Sequence, residues 1–379
     1  MPLKSSQPVI SITLISSIPL SLLKKQIMEM SENSPKPFII DQISEPEDLQ
    51  SVIYSMLAIP HLSPVNIFNE FAAPDPDPSM VGAEDYEDSG IFQLDDDEKL
   101  FSLTIYADHR RLAVDPFDAA QILVAKAVRR LVCYGAEPIS ISSFMNHVEF
   151  ANPIAQEMVM AARLGLDVAA KNFNLKFSQR KLHYDYSGDG GFVPPTLIIS
   201  LFGKLKSREN LLPPRFRKNG DNLLLVGRSY NDINASEYLE FYHEIKDWPL
   251  MKFSLSTESR LSEVMKEVIK NDLVISASPV GIGGLFFTLL RNALPNDLGF
   301  DIITDAEIRS DAFLFGESMG RYVVTVSKEK EDDFVDYLFD RKIPVMTLGH
   351  VTKGEIRIDD ESMGFVDKGM VSGTIDDFE

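Results

Sequence analysis

Apolar residues fall at every second position over residues 100–107 and then, past Asp115, at three- and four-residue steps. The first spacing predicts a half-buried strand and the second a helix. Ala120, Val124, Ala127, Val128 and Leu131 form one apolar stripe of that helix. Its ends are legible too. Asp115 stands at the N-cap, where a carboxylate accepts from free backbone N–H groups, and Pro116 follows where its missing N–H costs nothing. Gly135 suits the left-handed residue that closes a helix, and Pro138 blocks continuation. A helix of such small side chains packs close to a sheet.

The same reading along the chain predicts a short helix over 46–57, with Ile53, Met56 and Leu57 apolar, and a loop in the acidic, proline-bearing stretch 74–90. Strands are expected at 139–144 and 196–202, and a second long helix at 153–171 with Ile154, Met158, Ala161 and Leu164 on its stripe. Prolines and basic residues without periodicity at 207–219 mark an interdomain linker. Beyond it come a strand at 221–226, helices near 235–246, 257–270 and 284–293, and a strand at 322–326. A helix at 331–340 and strands near 343–351 and 354–358 complete the pattern. Helix and strand alternate in both halves, which predicts a two-domain α+β protein rather than a barrel or a bundle. The expected divisions are an extension or mis-assigned start at 1–36, a first domain at 37–206, the linker, a second domain at 220–360 and an acidic tail at 361–379.

With 379 residues, 44% of them hydrophobic, the chain can fill two cores. Its formal charge of −20 repels nucleic-acid phosphates and anionic lipid, so neither is an expected partner. Acidic clusters at 95–98 and 331–333 read as solvated faces. Cys133, the lone cysteine, lies near the buried stripe and reads as a structural thiol in a reducing cytoplasm. The apolar run at 9–23 is broken by serines and Pro19, is too short for a membrane span and precedes no cleavage site. Met28 or Met30 is therefore the expected start. Six histidines (His61, His109, His147, His183, His243, His350) show no metal-ligand spacing, and no CxxC pair or GxSxG elbow exists. His147 and Glu149 read as an acid–base pair or as a hydrogen-bonded pair in a loop. Gly281-Ile282-Gly283-Gly284 lacks the third glycine of a dinucleotide fingerprint.

The segment 106–138, with Asp115-Pro116-Phe117, the small-residue helix and then Gly135, Ala136 and Pro138, resembles the C-terminal synthetase half of phosphoribosylformylglycinamidine synthase. Three later segments look like the same half, in the same order. They are Ser236-Glu237-Tyr238-Leu239, then Gly283-Gly284-Leu285, then the run from Leu314-Phe315-Gly316-Glu317 to Arg321, followed by Ile343-Pro344-Val345 and Gly349. The likeness extends from about Asp48 to Asp359, and order and spacing carry it more than any single motif. Resemblance to this aminoimidazole-ribonucleotide-synthetase superfamily implies an N-terminal sheet domain that dimerises, with a C-terminal α/β domain beside it. It also implies ATP-dependent amidine formation in purine biosynthesis, in which an amide oxygen is phosphorylated and ammonia displaces phosphate. That chemistry needs oxygen donors for magnesium and backbone N–H groups for phosphate.

At three places the sequence departs from the family's pattern. The family's nucleotide-contacting aspartate at the strand that follows Gly135, Ala136 and Pro138 falls on Ser143, while Asn146 keeps the later asparagine. A family Ser-Gly-Asn-x-Ser motif falls on Ser178, Gln179, Arg180, Lys181 and Leu182, and neither Arg nor Lys can ligate a cation. Both aspartates of a family Asp-x-Ser-Asp-Gly-Gly motif are gone from 279–284, leaving Gly283 and Gly284. Arg180 and Lys181, near the 187–191 glycine run, offer a phosphate site or a surface turn. The strand end Asp108-His109-Arg110-Arg111 offers a two-arginine phosphate clamp or a solvent-facing end. The leading expectation is a free-standing homologue of the C-terminal half that binds ATP, ADP or phosphate at a degenerate site, with no metal ligand assigned and magnesium in doubt. An active C–N ligase completed by a partner chain, or a non-catalytic scaffold, are the alternatives. The resemblance implies a homodimer or a heterodimer with an N-terminal synthase half, and a glutaminase subunit to supply ammonia.

Overall fold

The computed structural model describes residues 40–62, 90–93, 99–147, 153–184, 195–207 and 210–366. The readings of 1–36, of the loop at 74–89, of Glu149 as a partner for His147, of the 187–191 run and of residues 367–379 lie outside them.

Two sheets organise the chain. The first holds β1 (Gly90–Gln93), β2 (Leu100–Asp108), β3 (Glu137–His147), β4 (Lys176–Tyr184) and β5 (Thr196–Leu205) in the spatial order β1-β2-β5-β3-β4. The second holds β6 (Asn222–Val226), β7 (Ser276–Pro279), β8 (Gly299–Ile302), β9 (Tyr322–Val326), β10 (Val345–Thr352), β11 (Glu355–Ile358) and β12 (Glu361–Phe365), in the order β12-β11-β8-β10-β6-β9-β7. Among the described strand pairs only β3–β4 and β8–β11 run parallel. The helices are α1 (Leu49–Leu57), α2 (Arg110–Val114), α3 (Pro116–Cys133), α4 (Pro153–Asn172), α5 (Leu255–Lys270), α6 (Gly284–Ala293), α7 (Ser310–Phe315) and α8 (Glu331–Asp340). The α+β class expected from the pattern holds.

Helix α3 keeps the ends its sequence announces. Asp115 Oδ1 accepts from the N–H groups of Phe117 and Asp118, each at 3.0 Å. At the other end Gly135 has φ +79°, its N–H reaching Val132 O at 2.9 Å, while the Ala136 N–H reaches Leu131 O at 3.0 Å. That pair of bonds is a Schellman closure. The single apolar stripe is too modest a description, because α3 is buried on almost every side. Its expected stripe packs with the inner face of the first sheet and α4, and Ile122 and Ala125 join the second core.

Other expectations change. Met158 and Ala161 are buried as expected, but Ile154 is 62% exposed and Leu164 half-buried, and the buried face of α4 runs on through Ala155, Ala162, Leu166 and Ala169. Alanines, which let two helix backbones approach, take the face that larger residues were expected to hold. The helix expected at 235–246 shrinks to one π-helical turn, Tyr238–Tyr242. Strands β7 and β8 have four residues each, too few to show a period, and β4 is a polar edge. β12, inside the stretch read as an acidic tail, pairs antiparallel with β11.

Candidate functional site

β2 ends at Asp108 and the chain turns at once into α2. Asp108 Oδ1 accepts the Arg111 N–H at 2.9 Å, and its Oδ2 accepts from Arg111 Nη1 at 3.0 Å. Arg111 Nη2 reaches on to Ala235 O at 2.7 Å and to Glu317 Oε2 at 3.1 Å. Glu317 Oε1 accepts two backbone N–H groups, from Glu237 and Gly283, both at 3.0 Å. Arg110 donates to both Glu237 carboxylate oxygens, to Oε1 through Nη2 and to Oε2 through Nη1 at 3.4 Å, and His61 Nε2 lies 2.8 Å from Oε2. Arg110 also pairs with Glu240 at 2.7 Å. Segments almost 260 residues apart, from His61 to Glu317, thus close on one buried network.

Charge is held firmly there. Burial works against ionising Asp108, but Arg111 and Lys126 outweigh it and keep its carboxyl below the usual range. Burial is likewise overcome at Glu237, whose carboxyl is lowered by Arg110 and His61. Arg111, nearly inaccessible, stays charged through Asp108 and Glu317. Next to this network Arg321 is fully buried and donates to the carbonyls of Phe313, Gly316 and Ser318, tying the loop that carries Glu317. Charges paired this extensively in a buried setting are expensive to break, although Arg111 Nε itself finds no partner among the described residues.

The two glycines of α6 belong to the same junction. Gly284 has φ +77°, and a Cβ there would stand 2.6 Å from Leu314 O and from the Phe315 carbonyl carbon. The Gly283 N–H goes to Glu317, and the Gly284 N–H to Gly281 O at 3.0 Å. The remaining predicted residues lie across the first sheet. Ser143 stands beside Arg180 in register, Ser142 beside Gln179, Phe144 beside Lys181 and Asn146 beside His183. Ser143 is buried, Asn146 is half-buried, and Gln179, Arg180 and Lys181 are exposed on edge strand β4. Arg180 bonds Asp167 and stacks on the Phe177 ring, 3.4 Å from its centroid. Asp108 shares a row with Leu197, Met145 and Leu182, so both groups sit at one end of the sheet. Two strands separate them, however, which at ordinary strand spacing puts them about 14 Å apart.

Against the buried network lies a cavity of about 370 Å³ between β2, α3 and the turn from β7 into α6. Its wall includes His61, Ile105, Tyr106, Lys126, Arg129, Arg130, Ile282 and Arg291. Sequence reasoning named none of these four cations, because Lys126, Arg129 and Arg130 fall off the apolar stripe and read as a solvated face. One signal was available: three cations at i, i+3 and i+4 in a helix otherwise made of small apolar residues.

Residues 218–360 match the family described as AIR synthase related protein, C-terminal domain. Across a wider span the chain is 26% identical over 324 residues to the phosphoribosylformylglycinamidine synthase subunit PurL of Alkaliphilus metalliredigens, covering 84% of this chain and 43% of that one. With the corresponding subunit of Leuconostoc mesenteroides it is 29% identical over 348 residues, covering 89% and 46%. Over most of its length the chain is thus similar to PurL, and over residues 218–360 to the AIR synthase related C-terminal domain. Its fold agrees. The structure of Thermotoga maritima PurL complexed with FGAR superposes with a TM-score of 0.65 at 15% identity, covering 93% of this chain and 56% of that one. The complex of the same protein with ATP gives 0.59 at 13%, covering 93% and 52%, and the PurLQS structure 0.61 at 14%, covering 90% and 52%. The chain spans about half the length of the curated relatives it matches.

Among the described residues, the side chains around this cavity do not suit the magnesium that the family resemblance implies. Among the described residues no group of three or more His, Cys, Asp or Glu is placed to hold a metal ion. The cavity wall offers ammonium and guanidinium groups, which repel a divalent cation.

Proposed function

We propose that this chain is a phosphoribosylformylglycinamidine synthase-like protein of purine biosynthesis, working in the cytoplasm, that binds a nucleotide or phosphate and does not turn it over alone. One observation carries this reading: the four family-like segments meet around Glu317, while among the described residues the cavity beside them is walled by cations instead of metal-binding oxygens. ATP, ADP and an ATP analogue in the Thermotoga maritima PurL complexes support a nucleotide as ligand. The candidate set Asp108, Arg110, Ser143, Asn146, Gln179, Arg180, Lys181, Gly283 and Gly284 divides on this account. Asp108, Arg110, Gly283 and Gly284 hold the scaffold, and the β3–β4 group is an outer, secondary contact surface.

A partner is favoured by the outer face of the first sheet. Ile105 and Phe202 are exposed there, Ile139 is exposed near its rim, and Phe101, Leu103, Phe144 and Ile198 are half-buried. Apolar residues alternate outward along paired strands, a surface that a second sheet can cover. A homodimer, or a heterodimer with an N-terminal synthase half, buries it. The PurLQS assembly supports a role beside further subunits, a glutaminase among them.

Calorimetric titration with ADP and ATP, with and without magnesium, tests the binding, and incubation with FGAR, ammonia and Mg-ATP tests the missing turnover. Binding without amidine formation is expected. Sustained turnover by the purified chain alone contradicts the proposal.

A further inference from the structure

We infer that the cavity between β2, α3 and the β7–α6 turn is a metal-independent anion site, in which the Lys126 ammonium receives the phosphoryl group of a phosphorylated small molecule. This deepens the reading of the chain as a nucleotide- or phosphate-binding protein and rests on it.

Lys126 is the starting point. It is only 8% exposed, it faces the cavity, and among the described residues its ammonium makes no hydrogen bond and no ion pair. The two nearby carboxylates are already spent: Asp108 on Arg111, and Glu317 on Arg111 and two backbone amides. A buried ammonium without a partner is costly, so a fold that keeps one in a cavity wall has an anion for it to meet.

Its surroundings select the anion. Arg129 sits 3.6 Å from Glu258, with one amino group on Met319 Sδ at 3.2 Å, so it is anchored yet still adds positive charge. Arg130 lies over the Tyr106 ring, 5.5 Å from its centroid. Arg291 is held by a 2.7 Å bond to Ile282 O, which also fixes the turn closing the cavity. Among the described residues no carboxylate lines the wall. A phosphoryl group, with several strong acceptors and more than one negative charge, suits such a set, since charge-assisted hydrogen bonds reach it from more than one side. Tyr106, Val280 and Ile282 supply apolar surface for an organic body, and about 370 Å³ leaves room for one. The cations do directly what a bridging metal ion would otherwise do.

The test uses the full chain. ATP and inorganic pyrophosphate are titrated calorimetrically in EDTA and again in excess magnesium, against wild type, Lys126→Met and Arg291→Gln. Wild type is expected to bind ATP in EDTA at least as tightly as with magnesium. Lys126→Met should weaken binding about tenfold or more, the scale of one charge-assisted hydrogen bond in a buried site. Arg291→Gln should weaken it several-fold, and being half-buried it still gives an answer if the lysine variant folds poorly. Wild-type affinity in both variants, or ATP binding only with magnesium, overturns this inference and leaves the proposed function standing. If neither ATP nor pyrophosphate binds under any condition, both fall.

Discussion

Glu317 and Lys126 show how differently two buried charges can be used. Glu317 employs both carboxylate oxygens, on Arg111 and on the amides of Glu237 and Gly283. Glu317→Ala should therefore cost about 3–5 kcal/mol in urea unfolding, because it strands a buried guanidinium and two N–H groups. The pair Arg111→Met with Glu317→Leu should cost less than the sum of its parts. Lys126 instead has no partner among the described residues, and burial, with Arg111 and Arg129 adding to it, pushes its pKa down to about 8 against Glu317 and Asp108. Tyr106, Arg130, Arg291 and His61 share its cavity. Below pH 8 the lysine is charged in both folded and unfolded chains, and the cost of burying it is fully present. Between about 8 and its ordinary value of 10.5 the folded chain loses the proton first, so stability gains as pH rises. Lys126→Met should raise the thermal midpoint at pH 7, with the gain shrinking toward pH 10.5. A gain that is flat with pH would show that the charge is not what costs. Burial likewise pushes the Cys133 thiol up to about 12, so it should stay unreactive to Ellman's reagent until the chain unfolds.

At the scale of elements, α3 is the piece on which the rest is assembled. Removing its cap by Asp115→Ala should cost about 1 kcal/mol. Gly135→Ala should cost more, since φ is +79° and the new Cβ would lie 2.1 Å from Asn210 O, where backbone must move. Denaturant midpoints for the two variants, compared side by side, check that order. Caps and stripe were readable because they depend on neighbours within a few positions. The opposite face was not, since Lys126 and Arg129 look the same in sequence whether solvent or another element covers them. The same reason hid β7 and β8: strands of four residues carry no period, and only pairing with β9, or with β10 and β11, makes them strands.

For the whole molecule, the outer face of the first sheet predicts an association. Phe202→Glu places a charge at the centre of that face and should lower the sedimentation coefficient toward that of a single chain, with an unchanged thermal midpoint for the isolated fold. An unaltered sedimentation profile would mean that this face is not the contact.

Local order alone determined the capped helix, the alternating strands, the α+β class and the family likeness, because each rests on spacing along the chain. Only the tertiary structure decided that Gly283 serves Glu317, that Arg111 is enclosed by carboxylates, and that three cations of one helix and a fourth from another wall a single cavity. Those outcomes depend on which charges find a partner after distant segments meet, and a pairing between residues 108 and 317 leaves no periodic trace in the chain.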